Sequence, residues 1–252
     1  MKKTFYTLFF LVTINFNFAH AETVKYVYDG DTFTTTDGKK VRLLNINTPE
    51  TAKKNKSSEP YAIKAKKELE KLVNKKEVIL KFDEEKKDKY KRLLAYVYLK
   101  DGTFVNKEML QSGFAHLYSF PNNISKFDEL KIAEDEARNK KRGLWSHKRW
   151  QTQDANSTKP VERFRFGKYQ TFDGNVIGVT KVRNKTFLNF GHNWRNDFSV
   201  EINDKYLKYF TKKNINPETA YLNKKLRIRG ILRPVNGALI SVTHPQQIEI
   251  LN

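Results

Sequence analysis

The stretch from Asp29 to Glu50, DGDTFTTTDGKKVRLLNINTPE, concentrates residue types that can handle a phosphate ester. Asp31 follows an Asp-Gly turn, and Asn47, Thr48 and Glu50 follow an apolar run. If those two stretches are neighbouring strands, the Asp31 carboxylate, the Asn47 side-chain oxygen and the Thr48 carbonyl converge. Hard oxygens gathered at a turn suit Ca2+, which takes about 6 to 8 oxygen ligands in irregular geometry. The plainer reading makes Asp29 and Asp31 an Asx turn and nothing more. Arg42 sits inside Val41-Arg-Leu-Leu44, where a charge is costly unless it reaches an anion. Arg92 takes a comparable place ahead of Leu93-Leu-Ala-Tyr96. Two such arginines with Glu50 form a set for phosphoryl chemistry: one carboxylate to orient or deprotonate water, two cations for charge developing on phosphate. Either arginine alone also reads as half of a structural ion pair.

These side chains need strands to bring them together. Glu22–Tyr28, Thr32–Thr36 and Val41–Ile46 read as a meander, punctuated by Asp29-Gly30 and Asp37-Gly38. Tyr61, Ala65, Leu69, Leu72 and Val73 recur at helical steps after Ser58 and Pro60, and Val78–Phe82 and Leu93–Leu99 read as two more strands. Asn106 is placed to cap a short helix ending near Gly113. Ser125 with Asp128 resembles a capping box for a longer helix closed by Gly143, with Trp145 as a packing anchor. Three strands, a helix and two strands is the order of the five-stranded OB barrel.

The periodicity lapses over 146–166 and then resumes with strands at Asn175–Val182, Thr186–Phe190 and Phe198–Ile202, a tight turn at Asn184-Lys185 and a short helix at Tyr206–Phe210. Leu226–Leu232 and Ala238–Val242 then flank Asn236-Gly237. The expected fold class is therefore mainly β with helices (α+β): an OB-fold barrel over 22–150, a linker over 151–162 and a second, OB-like barrel over 163–252. In the second, Phe190, Trp194 and Tyr206 with Lys185, Arg195, Arg227, Arg229 and Arg233 are candidates for a stacking and cationic face for single strands, although aromatics on strands more often form core.

Composition bounds the partners. The 252 residues carry 48 Lys and Arg against 28 Asp and Glu, a net charge of +20 that marks a binder of polyanions, with nucleic acid favoured over acidic membrane surfaces. The basic excess is shared, because 17 Lys and Arg face 7 Asp and Glu from Asn156 onward. MKKTFYTLFFLVTINFNFAHA pairs two lysines with an apolar run and a small-x-small site, so a signal peptide over 1–21 cleaved after Ala21 is expected. That run falls short of a membrane span, so no stable anchor is expected, and the mature chain reads as secreted or periplasmic. With no cysteine there is neither disulfide nor thiol nucleophile, and the five histidines lack zinc-like spacing.

In order, Asp29-Gly-Asp-Thr32, Arg42-Leu-Leu, Thr48-Pro-Glu50, Asp88-Lys-Tyr90 with Arg92, Leu93-Leu-Ala-Tyr96, Pro121-Asn-Asn123 and Gly143-Leu-Trp145 resemble the thermonuclease (staphylococcal nuclease) family over about residues 23–147. The resemblance implies a Ca2+-dependent phosphodiesterase that cuts DNA and RNA to leave 3′-phosphate ends, acting as a monomer without an obligate protein partner. Carried over, Asp31 and Thr48 would bind calcium with Asn47 beside them, Asp29 would support them, Glu50 would activate water, and Arg42 and Arg92 would stabilise the transition state. Tyr90 and Tyr118 would meet the substrate. Two positions depart from the family pattern: Asn47 replaces a second aspartate, which weakens calcium binding, and Lys91 replaces a glycine, which constrains the turn. Asn47 also supports the alternative reading, a non-catalytic nucleic-acid-binding protein with a degraded nuclease site. The composition further admits a cationic envelope adhesin.

Overall fold

The computed structural model describes residues 20–52 and 57–251. Most of the expected signal peptide, 1–19, lies outside them. The first barrel is built from β1 (His20–Asp29), β2 (Thr32–Thr35) and β3 (Lys40–Leu43). A short β4 (Ile46–Asn47) and helix α1 (Ala62–Val73) follow, then β5 (Glu77–Lys81) and β6 (Leu93–Leu99). Helix α2 (Val105–Gln111), β7 (His116–Leu117) and helix α3 (Phe127–Asn139) complete it. The five long strands close in the order β1-β2-β3-β6-β5, with β3 and β6 parallel through Arg42 and Leu94, and β7 pairs β4. Strand β1 serves both ends of the ring: His20–Thr23 pair β5, while Val24–Asp29 pair β2 through two register shifts. Such irregularities bend a strand and re-aim its side chains, here at the rim that carries Asp29.

The core runs from Phe33 and Leu43 through Ala65 and Leu69 of α1 to Tyr96, Met109 and Leu130, all buried. Two expected caps are not caps. Asn106 lies inside α2, buried, where its Oδ1 accepts from Val97 N at 2.9 Å and its Nδ2 donates to Leu44 O at 2.7 Å. Its amide is spent on buried backbone groups of Val97 and Leu44 that would otherwise be left unpaired. Ser125 likewise gives its backbone N–H to Asp83 instead of capping α3, which starts after Lys126.

The second barrel repeats the plan. After β8 (Gln153–Asp154) come β9 (Tyr169–Asn175), β10 (Gly178–Val182), β11 (Lys185–Asn189) and β12 (Phe198–Asn203). Helices α4 (Leu207–Thr211) and α5 (Pro217–Ala220) precede β13 (Lys225–Arg233), β14 (Ala238–Val242) and β15 (Ile248–Leu251). Hydrogen bonding orders them β10-β11-β12-β14-β13-β9-β8, with β12 and β14 parallel and β15 added on β13. Strands β9 and β10 are one strand interrupted at Val176-Ile177, so the covalent chain carries the path from β9 back to β10, with β8 outside that ring, and the strand order is that of the first barrel. The strand expected over Asn175–Val182 is thus only its second half. The turn before β11 falls on Arg183-Asn184, with Arg183 at φ 51°, and not on Asn184-Lys185. Within 151–162, Gln153 and Asp154 pair β9 in parallel and Ala155 is buried in the second core.

The barrels share a polar contact. Glu134 on α3 is buried and accepts from Leu117 N at 2.8 Å, Arg138 at 2.9 Å and Arg229 of β13 at 3.1 Å. Arg227 pairs with Asp173 and, across the contact, Asp135, while Lys131 reaches Glu249 at 2.7 Å. Arg227 and Arg229 are therefore interface cations and not part of a nucleic-acid face, and Phe190 is core. Sequence alone does not separate these roles, because a strand arginine looks the same facing solvent or a buried carboxylate.

His244 joins the two sides as well: its Nε2 is 2.7 Å from Ser119 Oγ and its Nδ1 2.9 Å from Thr243 Oγ1, and burial pushes its pKa down to about 4. A histidine depressed on folding is neutral in the folded chain, whereas the unfolded chain takes up a proton near pH 6.5, so stability falls as pH drops from about 6.5 towards 4. Urea unfolding at about pH 7 and about pH 5 should show a loss of about 2 kcal/mol from this residue, and His244→Gln should flatten the profile by that amount.

Candidate active site

Four pieces of the first barrel converge on one cleft of about 740 Å3. The Asp29-Gly30-Asp31 turn joins β1 to β2. It holds an Asx bond from Asp31 N to Asp29 Oδ1 at 3.1 Å. Gly30 is required by packing, since a Cβ there would stand 2.7 Å from that of Ala65 and 2.8 Å from Thr48. The expected Asx turn is present, and it sets Asp31 in the wall of the cleft. Asp31 is buried, and its Oδ2 accepts from Thr48 N at 3.0 Å and Thr48 Oγ1 at 3.1 Å, its Oδ1 from Thr32 Oγ1 at 2.9 Å.

Arg42 rises from β3 into the same corner, where it pairs with Asp31 and donates to Asn47 Oδ1 at 2.9 Å. Asn47 Nδ2 lies 3.3 Å from His116 Nε2. Burial alone would raise the Asp31 pKa, but Arg42 and the bonds from Asp29, Thr48 and Thr32 hold it below the usual carboxylate range. Its neighbour moves the other way: burial, and then the charge of Asp31, push Asp29 up to about 7.

The donor chemistry fits calcium. Asp31, Asn47 Oδ1 and the Thr48 carbonyl are hard oxygens, and after burial it is the charge of Asp31 that raises the Asp29 pKa, a repulsion that a cation would relieve. Among the described residues no group of three or more His, Cys, Asp or Glu forms a metal cage, so such a site depends on the amide and carbonyl oxygens.

The opposite wall is the loop after β5. Asn123 anchors it, accepting from Glu85 N at 2.8 Å and donating to Glu85 O at 2.9 Å. Asp88 then organises the turn, accepting from Tyr90 N and Arg92 N and gripping the Arg92 guanidinium at 2.7 Å. Lys91 takes φ 64°, the left-handed conformation that a glycine adopts freely and that costs a side-chain-bearing residue about 1–2 kcal/mol. Tyr90 projects into solvent, 68% exposed, with Arg92 5.6 Å from its ring centre.

Glu50 lies on the rim, exposed, and its backbone is clamped: Glu50 N donates to Glu59 Oε2 at 3.0 Å, and Glu59 N donates to Glu50 O at 2.9 Å. Asp29, Asp31, Arg42, Asn47, Glu50, Tyr90, Arg92 and Tyr118 all line the cleft, while Thr48 is buried behind its wall.

Residues 40–147 match the family described as staphylococcal nuclease homologue. Over 127 residues the chain is 40% identical to the SPbeta prophage-derived endonuclease YokF of Bacillus subtilis (strain 168), which covers 50% of this chain and 40% of the relative. Endonuclease YncB of the same organism is 39% identical over 127 residues, 50% of this chain and 57% of its own length. The chain thus spans about half the length of these two relatives. Thermonuclease of Staphylococcus intermedius is 38% identical over 125 residues, 48% of this chain and 74% of that protein. The chain belongs to the staphylococcal nuclease family.

The second barrel lies beyond the match to the staphylococcal nuclease family, yet it enters the cleft. Lys168 Nζ reaches Glu59 Oε1 at 2.6 Å, joined by Arg149 at 3.3 Å. Burial would raise the Glu59 pKa, but Lys168 and the Glu50 N–H hold it below the usual range. Tyr169 stacks on His116 at 4.6 Å and donates to Leu117 O at 2.9 Å. Sequence reading passes over Glu59, Lys168 and Tyr169: Glu59 and Lys168 are 109 residues apart and no local pattern joins them. Because Lys168 steadies the carboxylate that clamps Glu50, Lys168→Ala should lower kcat about tenfold with little change in KM, and Lys168→Arg should restore most of it. An equal fall in both variants, or a change confined to KM, would count against the clamp.

Proposed function

We propose that the protein is an exported, Ca2+-dependent nuclease that hydrolyses phosphodiester bonds of DNA and RNA and leaves 3′-phosphate ends. The observation that carries this reading is the gathering of Arg42, Arg92 and Glu50 in one cleft beside the oxygen corner of Asp31, Asn47 and Thr48. The names of the relatives, endonuclease and thermonuclease, point the same way.

Arg42, held by Asp31 and Asn47, and Arg92, held by Asp88, keep further N–H donors for a phosphate, and both neutralise charge as it builds on the equatorial oxygens. Glu50 takes the proton of the attacking water, from a backbone fixed on both sides by Glu59. Tyr90 and Tyr118 offer ring faces and hydroxyls to the flanking nucleotide. Asp31, Asn47 and Thr48 would hold a calcium ion, which would supply a positive centre beside the phosphate. The exported state rests on the lysine-then-apolar leader expected over 1–21.

The test is incubation of the protein with single-stranded DNA and RNA, with calcium and with chelator. Cleavage with calcium that stops on chelation, leaving 3′-phosphates, is the expected result. Tight, salt-sensitive binding without turnover would replace this reading with a nucleic-acid-binding protein.

A further inference from the structure

A second groove, about 560 Å3, opens on the other barrel and meets the catalytic cleft. The two share Tyr118, Phe120, Tyr169 and Ile231, two residues from each barrel. Tyr118 lies 5.0 Å from Phe120 and 5.2 Å from Tyr169, ring centre to ring centre, and Ile231 of β13 is 45% exposed beside them. This seam is an aromatic and aliphatic floor at the junction of two polar clefts.

Past the seam the walls are cationic. Lys185, Lys205 and Arg233 line the groove against a single carboxylate, Glu201. Glu201 accepts from Lys185 at 2.7 Å, Ser241 at 2.9 Å and Arg233 at 3.4 Å, so its charge is matched and an excess of positive charge remains. Lys205 is exposed, with Nζ 4.9 Å above the ring of half-buried Tyr206.

Register explains the placement. Lys185 and Phe187 of β11 pair with Asn203 and Glu201 of β12 and point outward, while Thr186, Leu188, Val200 and Ile202 fill the core. This is the outer face of the second and third strands, the surface on which five-stranded barrels of this order hold oligonucleotides.

We propose that the groove is a subsite for single-stranded nucleic acid, so that a strand cut in the first barrel lies across the seam onto the second. The inference rests on the nuclease reading and extends it to extended single strands as substrate. Bases stack on Tyr118, Phe120 and Tyr206, and phosphates meet Lys205, Lys185 and Arg233.

The experiment is fluorescence anisotropy of the full chain, in chelator, with thymidine oligonucleotides of about 4 and about 16 nucleotides, the range one such barrel spans. The long strand should bind at least about tenfold tighter than the short one. Lys205→Glu should remove most of that gain and lower the salt slope by about one. Lys225→Glu, at the start of β13 and outside the groove, makes the same charge change and should have a clearly smaller effect. Equal affinity for both lengths, or equal losses in the two variants, overturns the proposal. Length-independent binding with calcium-dependent cleavage sinks the subsite alone, whereas length-dependent binding without cleavage sinks the catalytic reading.

Discussion

Glutamine in place of Glu50 should lower kcat by about 10²–10⁴-fold while the Kd for an oligonucleotide measured in chelator should change by less than about twofold. The size follows from the role: a carboxylate placed to take the proton of the attacking water is worth that range in rate, and an amide cannot accept it. The selectivity follows from geometry. Glu59 grips the Glu50 backbone, accepting its N–H at 3.0 Å and donating to its carbonyl, a hold that does not depend on the Glu50 carboxylate. On the proposed reading phosphate contact falls to Arg42 and Arg92 on other elements, which should preserve binding. Single-turnover cleavage at saturating protein isolates the step. Undiminished cleavage by Glu50→Gln would move the base elsewhere, and a parallel loss of binding would mean that Glu50 shapes the cleft instead of serving the chemistry.

How far the chain discloses this site depends on distance along it. Asp29 to Glu50 could be read directly because one meander returns the chain on itself: Asp29 pairs Thr32, and Thr32 pairs Arg42. Arg92 was legible through the apolar run that follows it, and β6 is where that run places it, over Leu93–Leu99. The barrel order of the first half followed from alternation and turn dipeptides, which are local. Caps were less legible, because Asn106 has the right residue type for a helix end and is spent on buried strand groups. Least legible was everything the second barrel contributes. Arg229 and Lys168 carry no mark that distinguishes an interface cation or a clamp from a solvated charge, since their partners Glu134 and Glu59 are set by how the barrels dock. The Lys91 substitution was legible as a constraint, and its φ of 64° gives that constraint a physical form.

Arg229→Met should lower stability by about 3 kcal/mol, at the lower end of what breaking a buried ion pair costs, and the melting temperature by about 10 °C. Arg229 is 2% exposed and bridges Glu134 at 3.1 Å and Glu249 at 2.9 Å. Methionine fills much of its volume, so the loss is electrostatic more than steric. Burial would raise the Glu134 pKa, but Arg138, Arg229 and the Leu117 N–H hold it far below the usual range. Removing one of the two arginines strands part of that charge, and Arg138 at 2.9 Å keeps the loss from being larger. Adding Glu134→Gln should return part of that loss, because a neutral amide can still accept from Leu117 N and the charge then left, Arg138, keeps its bond to Thr152 Oγ1. A double variant less stable than Arg229→Met alone would show that Glu134 still stabilises the fold through Arg138 once Arg229 is gone. The same substitution should also reach the reaction: Arg229 and Lys168 lie in and next to the strands that dock the second barrel, so loosening that contact slackens the hold of Lys168 on Glu59, and kcat should fall with stability while KM for short substrates stays near its original value.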